Sequence, residues 1–291
     1  MINDMKRLLL AADLDGTLFY PKRFRSMISK RNLKFLRAFI DAGNRFVAIT
    51  GRSDRYMQKM KKVIQRPFDF IGCNSAVIVA DNKYVSESFL PKVINQVIDD
   101  LNDLFDVRGL LLLGENSPII VTGPERGWLA IKGMEIFYKS QGAYSEDFVV
   151  DHHHFYRMIN EGKAYKLMVF FGYSKKKKEY ASKVNSYLRE HYPDIESAWS
   201  GSVVEITAKN ISKGNGLHAY SQYLNIAPDD IIVVGDSGND ISMFKAFPNH
   251  SFVMKHASQK IKKYAKQQIK YVYQLAGYIQ QLQGVKDEFD Q

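Results

Sequence analysis

The sequence predicts an α/β fold in which a doubly wound parallel sheet is interrupted by an α+β insertion. Three observations carry that prediction. Short, purely apolar runs at Leu8–Ala12, Phe46–Ile49 and Ile231–Val234 have the length and texture of strands buried on both faces. Helical spacing separates the first two within about 45 residues, and a strand–helix–strand unit of that length implies parallel neighbours. Beyond Asn74 the rhythm changes to a hairpin and short strands around helices, the pattern of an α+β unit.

The first run ends at Asp13, followed by Asp15 and by Gly16-Thr17, which turn the chain. Ligands of open α/β sheets bind beyond the carboxyl ends of the strands, so two acids where a buried strand runs out are placed for chemistry. Side chains alternate along a strand, so the two acids share a site only if the chain leaves the sheet there. Gly16 permits that departure through backbone angles closed to other residues. Ser29 stands as the N-cap of a helix bearing Leu33, Leu36, Phe39 and Ile40, which Gly43 ends. The second run ends in Thr50-Gly51-Arg52, and Ser53 is expected to cap a helix reaching about Gln65. Phe68–Cys73 reads as a third strand, ending at Asn74.

Ala76–Ala80 and Lys83–Ser88 flank Asp81-Asn82, a tight hairpin turn. Val93, Ile94, Val97, Ile98, Leu101 and Leu104 fit one helical face. Strands are expected at Gly109–Leu113, Ile119–Val121, Lys166–Phe171, Glu196–Trp199 and Val203–Thr207, with helices at Ile131–Lys139 and Lys175–His191. Asp151-His152-His153-His154 reads as an exposed loop or strand rather than a metal tract, because successive side chains diverge.

The wound texture then resumes. Ser212 caps a helix that opens with Lys213-Gly214 and runs to about Leu224. The third run, Ile231–Val234, ends in Gly235-Asp236-Ser237-Gly238-Asn239-Asp240. A short strand at Ser251–Met254 and helices at Ser258–Gln267 and Gln274–Gln283 complete the pattern. The expected organisation is a Rossmann-like doubly wound core of residues 1–82 and 204–291, with an inserted α+β cap domain of residues 83–203.

At 291 residues, 45% apolar and 25% charged, the composition is that of a globular protein. No apolar run approaches the roughly 20 residues of a membrane helix, so no membrane partner is expected. Leu8–Ala12 is too short and too soon acidic for a secretory leader. Cys73 is the single cysteine and has no internal partner, which points to a reducing cytoplasm and a buried core thiol. The net charge of +10 suits a polyanion or a small phosphorylated substrate. The basic residues are spread out apart from Lys175–Lys178 and lack the aromatic interleaving of nucleic-acid modules, so the small anion is the expected partner. Oligomeric state leaves no mark in the sequence.

Three strand ends thus carry reactive groups to one edge: Asp13 with Asp15, Thr50, and Asp236 with Asn239 and Asp240. Lys213 opens a helix that should point at the same edge. A cation at a helix N-terminus is unfavourable unless an anion sits there. Crowded carboxylates in turn call for a hard cation, and Mg²⁺ suits oxygen ligands with room for water. Acids around a divalent ion, facing a hydroxyl and a lysine, describe a phosphoryl site.

In that order, Asp13-Leu14-Asp15-Gly16-Thr17, Thr50, Lys213 and Gly235-Asp236-x-x-Asn239-Asp240 resemble the four motifs of the haloacid dehalogenase superfamily. The insertion after Asn74 and the wording around Glu205-Ile206 and Lys213-Gly214 resemble its Cof-like phosphatases. The resemblance implies Asp13 as the nucleophile that becomes an aspartyl-phosphate, and Asp15 as acid toward the leaving alcohol and then base toward water. It implies Mg²⁺ held by Asp13, the backbone carbonyl of Asp15 and Asp236, with Asp240 in support. Thr50 and Lys213 would hold phosphoryl oxygens, helped by Asn239 and backbone amides near Gly16 and Gly51. Arg52 reads equally as a substrate contact and as an ion-pair partner. Asn74-Ser75-Ala76 and Met254-Lys255-His256-Ala257 depart from the family wording, and Lys255 or His256 could bring positive charge near the pocket. The implied activity is Mg²⁺-dependent hydrolysis of a small phosphorylated metabolite, a sugar phosphate foremost. A phosphomutase or phosphotransferase is the nearest alternative, and a non-enzymatic phospho-acceptor or nucleic-acid-binding module a remoter one.

Overall fold

The computed structural model describes residues 7–21, 26–140, 145–200 and 202–284. The first strands are β1 (Leu9–Ala12), β2 (Arg45–Ile49), β3 (Asp69–Gly72), β4 (Val77–Ala80) and β5 (Lys83–Glu87). Next come β6 (Gly109–Gly114), β7 (Ile119–Thr122), β8 (Phe148–Val150), β9 (Ala164–Phe170), β10 (Ile195–Ser200) and β11 (Val203–Ala208). The last are β12 (Ile231–Gly235), β13 (Ser251–Met254) and β14 (Gln267–Ile269). The helices are α1 (Lys30–Asp41), α2 (Tyr56–Ile64), α3 (Ile94–Leu104), α4 (Trp128–Ser140) and α5 (His152–Asn160). They continue with α6 (Lys175–His191), α7 (Lys213–Tyr223), α8 (Ile241–Ala246), α9 (Gln259–Lys262) and α10 (Leu275–Gln283).

The larger sheet runs β14-β13-β12-β1-β2-β3-β4-β5. Neighbours from β14 to β3 are parallel, and β4 and β5 then turn back antiparallel. Alternation along the strands sorts side chains into two layers. Leu10, Ala12, Phe46, Ala48, Ile232 and Val234 pack with Leu36 and Phe39 of α1 and Met60 of α2. Leu9, Ala11, Val47, Ile49, Ile231 and Val233 pack on the other side with Leu217 and Tyr220 of α7 and Phe244 of α8. Both faces are dry, which is why these strands read as unbroken apolar runs. Burying one such Leu, Ile or Val contributes about 2 kcal/mol.

The smaller sheet, β10-β11-β9-β6-β7-β8, belongs to the cap. One face carries Leu110, Leu112, Leu167, Val169, Val204 and Ile206, covered by α3 and α6. The other carries Leu111, Leu113, Val121 and Phe170, with Ile131 and Met134 of α4 against them. Ser29 and Ser212 cap α1 and α7, their hydroxyls accepting from the Asn32 and Asn215 amides at 3.3 Å.

The structure divides the two sheets differently from the expected boundaries. Lys83–Glu87 pairs with β4 and stays in the larger sheet, while Val203–Ala208 pairs with β10 and β9 in the smaller one. The chain therefore crosses after Glu87 and after Ala208, rather than at 82/83 and 203/204. A hairpin turn, here Asp81 (φ 50) and Asn82 (φ 62), shows where a strand bends back but not which sheet it extends.

Three local expectations also change. Ser53 does not cap α2, which starts at Tyr56; its hydroxyl donates to Glu146 at 2.7 Å instead. Asp151 caps a helix where loop or strand was expected, accepting from the His154 amide at 2.8 Å, and Phe155, Met158 and Ile159 anchor that helix. The helix expected over Ser258–Gln267 is confined to Gln259–Lys262, and Gln267 opens an edge strand, Gln267–Ile269, that pairs with Phe252–Met254 of β13. No helix among the described residues is long and apolar enough to cross a membrane.

Candidate active site

Parallel register sets Ala12 beside both Ala48 and Val234, so the ends of β1, β2 and β12 lie level. At that level the chain after β1 leaves the sheet. The Asp13 amide still donates to the Val234 carbonyl at 3.0 Å, and Leu14–Leu18 then form a wide turn closed by the Phe19 amide on the Leu14 carbonyl at 2.9 Å. Gly16 has φ +83, and a Cβ there would lie 2.4 Å from Asp236 Oδ2, so the turn admits only glycine. The two acids part company here. Asp13 is buried, whereas the Asp15 side chain is 54% exposed.

Lys213, buried at the first position of α7, donates to Asp13 Oδ1 at 2.6 Å and to Asp240 Oδ1 at 2.7 Å. Asp240 Oδ2 accepts from the Asp236 and Ser237 amides at 2.8 and 2.9 Å, so Asp240 braces the loop after β12. Asp236 Oδ1 accepts from the Thr17 hydroxyl at 3.0 Å, and His256 Nε2 stands 3.5 Å from its Oδ2. One carboxylate oxygen each from Asp13, Asp236 and Asp240 lie within 4.8 Å of one another.

Three carboxylates therefore share one ammonium. Burial, and then Asp240 and Asp236, push the Asp13 carboxyl well above the ordinary range against the pull of Lys213. Burial and Asp240 raise Asp236 as well. For Lys213 burial works downward, but Asp13 and Asp240 outweigh it and hold the ammonium above its usual value. Asp13 Oδ2 is buried and has no hydrogen-bond partner among the described residues. A buried polar oxygen left so costs about 1–3 kcal/mol unless something binds it. An acceptor with no donor, in a net-negative cluster of hard oxygens, fits a divalent cation such as Mg²⁺.

Thr50 follows β2 and is buried, its hydroxyl accepting from the Arg52 amide at 3.2 Å. Arg52 grips Asp15 with two hydrogen bonds, Nε to Oδ2 at 2.6 Å and Nη2 to Oδ1 at 2.7 Å, and lies 4.2 Å over the Tyr56 ring. Burial works against its charge, but Asp15 holds the guanidinium above its ordinary value. Arg52 is thus an ion-pair partner of the very acid beside it in the motif order.

Asn239 donates to Asn74 Oδ1 at 3.3 Å and accepts from the Ser237 hydroxyl at 2.6 Å. Asn74 donates to Glu205 of β11 at 2.6 Å, and Glu205 lies 3.3 Å from Lys166 of β9. Burial works to raise Glu205, yet Lys166 and Asn74 bring it below the usual carboxylate value. Lys166 Nζ in turn donates to the Gly51 carbonyl at 2.9 Å.

The structure gathers Asp13, Lys213, Asp236 and Asp240 into one cluster, buried except at Asp236, which is partly exposed. The Asp15 side chain is not part of that cluster, so any share it has in holding a cation comes through its backbone carbonyl. Thr17, the anchor of Asp236, stands inside the Asp-Gly-Thr wording but was not assigned a role from sequence. Glu146 and Lys166 carry no local signal, and Glu205 stood out only as part of the family wording, without a role; all three reach the loops of the core because the cap folds back over it.

A Rossmann-like, doubly wound α/β core with an inserted cap and a carboxylate–lysine centre at the carboxyl edge of its parallel strands is the class defined by this architecture. The chain belongs to the haloacid dehalogenase-like hydrolase family, whose profile matches residues 10–281. A Mycoplasma pneumoniae protein named "Putative phosphatase" is 24% identical over 247 residues, covering 80% of each chain. A Haemophilus influenzae protein of the same name is 24% identical over 267 residues, covering 87% of each. Among solved structures, a haloacid dehalogenase-like hydrolase from Bacteroides thetaiotaomicron has a TM-score of 0.73 at 20% identity, covering 97% of this chain and 100% of that one. One from B. subtilis has a TM-score of 0.74 at 22% identity, with the same coverage of 97% and 100%.

Proposed function

We propose that this protein is a Mg²⁺-dependent phosphomonoesterase that cleaves a small phosphorylated metabolite through an aspartyl-phosphate on Asp13. The observation that carries this reading is Asp13 itself, buried with one oxygen on Lys213 and the other without a donor among the described residues, beside Asp236 and Asp240. The relatives named as phosphatases support the same reaction class.

In this reading Asp13, the Asp15 carbonyl and Asp236 would hold Mg²⁺, and the ion would supply the positive charge that lets an anionic carboxylate approach an anionic phosphate. An Asp13 oxygen forms a bond to phosphorus as the ester P–O bond breaks, and Asp15 gives its proton to the departing alkoxide. Asp15 then takes a proton from water, which attacks the same phosphorus, releasing orthophosphate and restoring Asp13. Lys213, Thr50, Asn239 and the amides near Gly16 and Gly51 hold phosphoryl oxygens, and Asp240 keeps Lys213 and the Asp236 loop in place. Thr17 orients Asp236.

A sugar phosphate is the favoured substrate. A cavity of about 170 Å³ lies beside Lys213, between the cap strands β10–β11 and the loops after β3 and β12. Its surface is mostly apolar, with Asn74, Glu196, Thr207, Ser212 and Asn239 placing hydrogen-bonding groups around it, a mixture that suits the carbon faces and hydroxyls of a sugar. The buried, unpaired Cys73 suits a reducing cytoplasm. The test is orthophosphate release from a panel of phosphorylated metabolites, with Mg²⁺ and with chelator. Release from sugar phosphates only when Mg²⁺ is present is expected. An isomerised sugar phosphate in place of orthophosphate would reassign the protein as a phosphomutase, and no reaction with any phosphomonoester would end this reading.

A further inference from the structure

The loop that follows β2 is tied to the cap at three consecutive residues. Lys166 Nζ donates to the Gly51 carbonyl at 2.9 Å. Glu146 Oε2 stands 3.5 Å from Arg52 Nη1, and Oε1 accepts from the Ser53 amide at 3.1 Å and hydroxyl at 2.7 Å. Arg52, held in this way, is the residue that grips both oxygens of Asp15. The two cap residues reach the loop from different elements, Glu146 from the segment before β8 and Lys166 from the middle of β9.

This seam is almost dry. The Lys166, Glu146 and Arg52 side chains are only 2%, 10% and 14% exposed. Hydrogen bonds and ion pairs in such surroundings hold geometry far more firmly than those in water. The register of the cap sheet supplies part of the cause. Glu205 lies opposite Met168, so Lys166, two residues along β9, shares its face and arrives at the core already paired with Glu205.

We propose that Glu146 and Lys166 are positioning residues, which set the Thr50–Ser53 loop, and through Arg52 the Asp15 carboxylate, when the cap is seated on the core. The proposal rests on the phosphatase reading, since Thr50 and Asp15 bear on turnover only within it. Turnover is thereby coupled to a seated cap without either residue touching the phosphate. Residues that merely glued the cap to the core would act on stability and substrate affinity together. Residues that set the loop lower kcat while leaving KM for a small aryl phosphate nearly unchanged, because such a substrate has little for the cap to grasp.

The full-length Glu146→Ala and Lys166→Met variants, and their combination, test this with p-nitrophenyl phosphate and Mg²⁺. Amide deuterium exchange across Thr50–Tyr56 is measured in parallel. Each single variant is expected to lower kcat by about tenfold or more with KM within about twofold, the scale of a displaced catalytic group. Exchange in the loop should speed up by about tenfold, and the double variant should lose less than the product of the singles, because both act on one loop. Should the buried Lys166→Met change prevent folding, Glu146→Ala carries the test alone. Unchanged loop exchange, or an effect confined to KM, overturns the proposal. A parent protein inactive on every phosphomonoester would instead sink the reaction reading, and the exchange data would still show whether the cap holds the loop.

Discussion

Lys213 Nζ bridges Asp13 Oδ1 at 2.6 Å and Asp240 Oδ1 at 2.7 Å with no exposed surface of its own. A cation on the first turn of a helix opposes the helix dipole, so this placement holds only because two carboxylates face it. Removing the ammonium leaves three acids crowded together, Asp13 and Asp240 buried and Asp236 partly so. Lys213→Met should cost the metal-free protein about 3–5 kcal/mol, the penalty of stripping one partner from a buried ion pair. Urea unfolding in chelator measures that loss, and added Mg²⁺ should recover part of it. Turnover should fall by about two orders of magnitude or more, as expected when charge stabilisation at a transferring phosphoryl group is removed.

Asp13 pulls stability and activity in opposite directions. Its carboxyl is raised in the folded state, chiefly by burial, so the folded protein keeps that proton to higher pH than the unfolded chain does. Stability from this group therefore falls as pH climbs from the ordinary value near 3.8 through the raised one. Asp13→Asn removes the charge, and should raise the Tm of the metal-free protein at neutral pH while abolishing aryl-phosphate hydrolysis. A lower Tm in chelator would mean that the Lys213 pair outweighs burial; residual turnover would take the nucleophile role from Asp13.

Asp15 should behave differently, because its side chain is half in water. Losing its pair with Arg52 in Asp15→Asn costs less than about 1 kcal/mol. The expected defect is kinetic, a fall of about 10²–10⁴ in turnover, the usual contribution of a general acid–base group. Dephosphorylation should be slowed enough that acid-quenched samples carry a phosphoryl group on Asp13. Mass spectrometry showing none after incubation with substrate and Mg²⁺ would rule out the covalent route.

Thr17 offers the cleanest separation of metal binding from chemistry. Its hydroxyl orients Asp236 at 3.0 Å, and Thr17→Val keeps the shape of the buried side chain while deleting that bond. Mg²⁺ affinity should weaken by about 10–100-fold, as for other groups that orient a metal ligand. A titration of Tm against Mg²⁺ reads the affinity directly, and kcat at saturating Mg²⁺ should stay within a few-fold of the parent. An unshifted titration would reduce Thr17 to a packing role.

Several features were legible because they are local. Ser29 and Ser212 cap their helices as their positions suggest, and the apolar runs that end at Ala12 and Ile49 are strands with both faces covered. Ser53 shows where that logic stops. It has the position of a cap, yet its hydroxyl and amide are claimed by Glu146, 93 residues away. The histidine tract misleads for the opposite reason: its polar start hides the Phe155, Met158 and Ile159 face that makes it a helix. Which sheet Lys83–Glu87 and Val203–Ala208 join was not legible, because a strand has the same texture in either one.

Composition and short-range pattern settle where the buried central strands of the core lie, where they end and what chemistry stands at their ends, since an apolar run, a capping serine and a turn glycine act within a few residues; the short edge strands Phe148–Val150 and Gln267–Ile269 left no such mark. Burial and pairing of charge obey no such limit. Asp13 and Asp15 are two residues apart and similar on paper; one is sealed against Lys213, 200 residues away, and the other faces water in the grip of Arg52. That distinction, like the hold of Glu146 and Lys166 on the loop after β2, arises only when two sheets close on each other and water is driven from between them.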